Sequence, residues 1–91
     1  MFKYQISEDL GRIIKILNKK DRKRSLILFK KIQEIIDNDA KTIERYKNLK
    51  YELNEFKRAH IDKSFVLIFK VDKEKNFILF ERLEHHDRVY K

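Results

Sequence analysis

The chain opens with apolar and polar residues in alternation: Phe2, Tyr4 and Ile6 are separated by Lys3 and Gln5. A period of two predicts a short strand with one buried face. Ser7 then offers a helix N-cap, with Glu8 and Asp9 where a helix dipole favours acids. Leu10, Ile13, Ile14 and Leu17 follow at helical spacing and predict an amphipathic helix of about three turns. Asn18, Lys19 and Lys20 interrupt it. Asp21 can cap a second helix, whose apolar face is Leu28, Phe29, Ile32, Ile35 and Ile36 and whose end falls at Asn38. Two such helices with a short link predict an antiparallel helical hairpin.

The pattern then weakens. Between Asp39 and Lys50, Ile43 and Tyr46 fit either one more helical turn or a loop, and Lys41, Arg45, Lys47 and Lys50 make the stretch basic. Tyr51–Ile61 reads as a strand, with Leu53, Phe56 and Ala59 inward and an irregularity between them. Ser64–Val71 is apolar on both faces, as a central strand would be. The charged turn Asp72–Lys75 separates it from Asn76–Leu83, where Phe77, Leu79 and Leu83 share one face with Glu81, and Ile78, Phe80 and Arg82 share the other. These last two runs predict a hairpin. The order is β-α-α-β-β-β, an α+β fold with a small antiparallel sheet packed on a helical hairpin. With no Pro and only Gly11, the turns must be made by Asn, Asp and Lys.

Ninety-one residues give one domain, 1–91, with a small core. Lys and Arg exceed Asp and Glu by 23 to 15, a net charge of +8. Such a surface attracts polyanions, most often nucleic acid or an acidic protein partner. The absence of Cys excludes disulfides and thiolate metal sites. No apolar run approaches a membrane span, and the first residues lack the apolar core of a signal peptide, so a cytoplasmic location is expected.

The chemistry gathers in the second half. His60 precedes the central strand, and His85, His86 and Tyr90 follow the last one. In antiparallel strands the start of one lies beside the end of the next, so these residues are expected to converge at one end of the sheet. Adjacent histidines without Cys or a carboxylate framework are a weak metal signal, and no metal or cofactor is expected.

The frame Phe56-Lys57-Arg58-Ala59-His60-Ile61, the strand Phe65-Val66-Leu67-Ile68-Phe69-Lys70, and the ending Glu81-Arg82, His86, Val89-Tyr90 resemble the RelE/ParE superfamily of small toxins, most closely its YafQ branch. That resemblance implies a ribosome-dependent endoribonuclease that cuts translated mRNA and inhibits translation, held inactive by an acidic, partly disordered antitoxin in a hetero-oligomer. It implies catalytic roles for His60, His86 and Tyr90, and it aligns Lys47 with a further family histidine. Three positions depart from the branch pattern: Arg58 replaces an acid, Lys63-Ser64 replaces Pro-Asp, and Glu84 replaces Gly.

Metal-independent RNA cleavage needs a base for the 2′-hydroxyl, stabilisation of the charge on the phosphoryl oxygens and an acid for the leaving 5′-oxygen. Imidazole, with an ordinary pKa of about 6.5, can serve as either acid or base. Lys and Arg supply the electrostatics. On this reading His60 and His86 transfer protons, Lys47, Arg58 and Arg82 surround the phosphate, Lys50 and Arg45 add RNA-binding charge, and Tyr90 stacks on a base. Each assignment has a plainer rival. His60 could be a satisfied edge histidine, Tyr90 could pack on the sheet, and Lys19–Arg24 reads as a solvated helix face. Two other functions compete: a ParE-like toxin acting on gyrase, and an RNA-binding module without catalysis.

Overall fold

The computed structural model describes residues 1–89. The elements are β1 (Lys3–Ile6), α1 (Glu8–Lys20), α2 (Arg22–Ile36), two short 3-10 turns (Thr42–Arg45 and Tyr51–Leu53), β2 (Phe56–Ile61), β3 (Phe65–Asp72), β4 (Phe77–His85) and a terminal turn of helix, α3 (His86–Val89). The expected α+β architecture is observed. The strands lie in the order β1-β4-β3-β2. β2, β3 and β4 are antiparallel neighbours, but β1 joins β4 in parallel, so the sheet is mixed. Two helices intervene between β1 and β2, and this long excursion carries the chain from β1 at one edge of the sheet to β2 at the other.

The helix starts are those the caps predict. The Ser7 hydroxyl accepts from the Leu10 N–H, and the Asp21 carboxylate accepts from the Arg24 N–H. Asn18–Lys20 stay helical, and Asp21 alone makes the break. Leu28, Ile32, Ile35 and Ile36 are buried as expected, whereas Phe29 lies at the margin of that face and is 42% exposed.

One face of the sheet packs on the helices. Ala59 and Ile61 of β2, Leu67 and Phe69 of β3, and Ile78, Phe80 and Leu83 of β4 join Phe2, Leu10 and the α2 stripe in one core. The phase of β4 differs from the simple alternation. Ile68 pairs with Arg82 but Phe69 pairs with Phe80, so Glu81 is an extra residue in a β-bulge. The bulge shifts Leu83 onto the face of Ile78 and Phe80. Ser7 holds it: its N–H donates to Phe80 O and its hydroxyl to Glu81 O. The turns rest on Asp62 and Asn76, both left-handed at φ 59° and 53°, a conformation these two residue types tolerate best after Gly.

The expected strand over Tyr51–Ile61 begins only at Phe56. Tyr51 is left-handed (φ 60°) and Tyr51–Leu53 forms a 3-10 turn. Phe56 and Ala59 consequently lie on opposite faces, and Leu53 is exposed. The free edge of β2 is occupied instead by residues 47–49: Leu49 N–H donates to Phe56 O, and Arg58 N–H donates to Lys47 O.

This edge is fastened by a buried lysine. Lys57 Nζ donates to Glu44 Oε1 (2.8 Å), Tyr46 O (3.0 Å) and Asn48 Oδ1 (2.8 Å). Lys73 Nζ reaches the other Glu44 oxygen at 2.8 Å. The Lys57 and Lys73 ammoniums hold the Glu44 carboxyl down at about 2, from an ordinary 4.5. A carboxylate with a depressed folded pKa stabilises the fold in full above pH 4.5 and loses that contribution as pH falls toward 2. Because Glu44 is half exposed, solvent screening limits the effect to about 1 kcal/mol. Urea midpoints should therefore fall less between about pH 5.5 and pH 2.5 in Glu44→Gln than in the parent chain. An equal fall in both would remove Glu44 from the acid response.

Candidate active site

Neither α1 nor α2 covers the second face of the sheet. Along β2 it presents Phe56, Arg58 and His60, and along β3 Val66, Ile68 and Lys70. Beyond the bulge, β4 adds Arg82 and Glu84. Register fixes two rows across it: Arg58 opposite Ile68 opposite Arg82, and His60 opposite Val66 opposite Glu84. Val66 and Ile68 are buried although neither α1 nor α2 covers them, because Leu49, Phe56 and Val89 close over them as a small second cluster. Val89 belongs to α3. The chain thus turns back after β4 and lays α3 on this face, with His86 N–H donating to Ser64 O at 2.7 Å.

That turn brings His86 over His60. Their ring centroids are 5.8 Å apart and the planes differ by 26°. His85 points elsewhere. Its ring meets Phe65 edge-on at 5.5 Å, and its Nδ1 accepts from the Asp87 N–H.

Lys47, Arg58 and His60 line one open recess of about 380 Å³, with Arg45 and Lys31 on its far wall. The Arg58 guanidinium donates to Asn48 O at 3.1 Å, which aims it along the edge. Arg45 is engaged with the fold as well as the recess: it donates to Asn38 Oδ1 at 3.1 Å and lies over the Tyr46 ring at 5.5 Å. Arg82 shares the face with the histidine pair, its guanidinium 3.8 Å from Glu84. Lys50 does not enter this recess. It lines a neighbouring groove with Tyr51, Arg88 and, again, Arg58. Tyr90 lies outside the described residues. Among those residues no cluster of three or more His, Cys, Asp or Glu could hold a metal ion, and no helix is long and apolar enough to cross a membrane.

The arrangement offers two imidazoles over an apolar floor within a cationic rim. Such a site can accept a phosphodiester, bind its oxygens and move protons at both sides of one phosphorus. Lys31, Tyr51 and Arg88 were not distinguishable as site residues in the sequence. Lys31 lies on α2, far from the second half in sequence. Arg88 follows His86 by two residues, and that proximity was the one available signal.

No family model matches the chain. It is 43% identical over all its 91 residues to a protein of Methanocaldococcus jannaschii assigned as toxin RelE4, of which the match covers 93%. The fold matches that of YafQ from E. coli, with TM-score 0.73, 17% identity and both chains covered in full. It matches equally one chain of the E. coli DinJ–YafQ complex, at TM-score 0.73 and 18% identity, with this chain and that one covered in full. Sequence likeness across all 91 residues, carried on the same fold, makes the chain a member of the RelE superfamily of toxins.

Proposed function

We propose that the chain is the toxin of a toxin–antitoxin pair and acts as a ribosome-dependent endoribonuclease on mRNA under translation. The observation that carries this reading is the His60–His86 pair, 5.8 Å between ring centroids, with Arg58 and Lys47 in the recess beside it. One phosphodiester beside the pair can lie within reach of both rings. One imidazole takes the proton of the 2′-hydroxyl, whose oxygen bonds to phosphorus. The P–O5′ bond breaks, and the other imidazole delivers a proton to the leaving oxygen. The products are a cyclic phosphate and a 5′-hydroxyl, and no metal or external nucleophile is needed. Arg58, Lys47 and Arg82 offset the charge that grows on the phosphoryl oxygens. The net charge of +8 favours approach to ribosomal and messenger RNA.

The same charge calls for a mask in the host cell. YafQ has been solved with DinJ bound, and an acidic segment that folds on binding would cover this chain's cationic face in a comparable way.

Translating ribosomes programmed with a defined mRNA test the activity. Incubation with the chain should yield cuts that map to fixed positions within codons and that disappear when ribosomes are omitted. Inhibition of gyrase without any cut, or RNA binding without turnover, would overturn the reading.

A further inference from the structure

Tyr51 combines two features that rarely meet in a loop aromatic. It is 88% exposed, so its ring gains little from burial. It also sits at φ 60°, where a bulky side chain is strained. Outliers of this kind persist where function holds them. The turn is anchored at both ends. Asn48 Nδ2 donates to Asn54 O at 2.7 Å, and Leu49 N–H donates to Phe56 O at 2.8 Å.

The ring stands on the rim of an open groove of about 930 Å³, whose lining includes Lys50, Arg58, Arg88 and a single acid, Glu52. Arg58 is also a wall of the recess that holds His60. A strand whose phosphate lies at the histidine pair can thus pass over Arg58 and meet positive charge again at Lys50 and Arg88.

We propose that Lys50 and Tyr51 form a stacking subsite for an unpaired RNA base, with Lys50 and Arg88 on the flanking phosphates. The assignment of the strand's reacting end to the histidines rests on the endoribonuclease reading. The subsite itself needs only single-stranded RNA. An acidic peptide would answer the cations, but it has no flat face for the ring, whereas every base has one. Stacking also explains why a strained turn carries Tyr rather than Gly: the ring has a use in solvent.

The probe is a ten-nucleotide, fully 2′-O-methylated RNA, which binds but offers no 2′-hydroxyl for cleavage. Tyr51→Ala and Tyr51→Gly should weaken its binding about 5- to 150-fold, the range of one lost base stack, while Tyr51→Trp stays within about twofold of the parent. Tyr51→Gly should at the same time hold or raise the melting temperature, because Gly relieves the strain. Loss of affinity with undiminished stability separates stacking from folding. Binding by Tyr51→Gly within twofold of the parent overturns the proposal. So does an equal loss of binding to polyglutamate, which would mark a plain cationic patch. A chain that never cuts mRNA yet shows the Tyr51 dependence would sink the endoribonuclease reading and keep the subsite. A chain that cuts but shows no Tyr51 dependence would do the reverse.

Discussion

Cutting of ribosome-bound mRNA falls by about 10²–10⁴-fold in His60→Ala, and by a similar factor in His86→Ala, because each removes one positioned proton carrier. The two losses do not multiply. The rings act on one phosphodiester from 5.8 Å apart, so once either is gone the other has little left to do. The double variant is expected to be about as slow as the slower single one. Both rings are partly or wholly open to solvent, and substitution at such positions usually moves stability by about 0.5 kcal/mol or less. Unfolding therefore cannot mimic the effect, and thermal melts of the two variants should match the parent. His85→Ala supplies the contrast. Its ring rests on Phe65 and turns away from the pair, so cutting should change by no more than about twofold, far below the loss of a proton carrier. Undiminished cutting by both His60→Ala and His86→Ala would leave the pair without a catalytic part.

The meeting of His60 and His86 was legible in the sequence because it is register arithmetic. Antiparallel pairing of β2, β3 and β4 sets the start of the central strand against the ends of its neighbours, whatever the details between. The helix starts were legible for a similar reason, since a cap involves residues only three apart. What escaped was tertiary. The bulge at Glu81 is held by Ser7, 74 positions away, and nothing within Asn76–Leu83 announces that Leu83 changes face. Tyr51–Leu53 has the composition of a strand, but the edge of β2 that it would have extended is already taken by residues 47–49. Phe29 fits the apolar period of α2 yet stays 42% exposed. The groove beside the histidines escaped for the same reason: Lys50, Tyr51 and Arg88 come together only when the 3-10 turn and α3 lie side by side.

Lys57 is the residue whose part was least visible, and its loss should weaken the fold. As a lysine between an aromatic and an arginine it reads as a solvated strand position. Instead its side chain is 7% exposed and its ammonium is shared by Glu44, the Tyr46 carbonyl and the Asn48 side chain. Lys57→Met keeps most of the aliphatic stem but takes this donor from the Tyr46 carbonyl and the Asn48 side-chain oxygen, while Glu44 keeps Lys73. Leaving buried acceptors without a donor costs about 1–3 kcal/mol, which for a chain of this size lowers the melting temperature by roughly 5–20 °C. Lys73→Met is the matched comparison. It removes the other ammonium from the same Glu44, but Lys73 is about half exposed, so its loss should cost under about 1 kcal/mol. The difference carries into the site. Tyr46 and Asn48 flank Lys47, and the Asn48 carbonyl aims Arg58, so freeing them loosens the cationic wall beside His60. At a temperature where circular dichroism shows Lys57→Met still folded, its cutting of ribosome-bound mRNA should remain below that of the parent, while Lys73→Met cuts normally. Melting of the two variants within a few degrees of each other would mean that the edge strand is held by its backbone pairing with residues 47–49 and not by the buried ammonium.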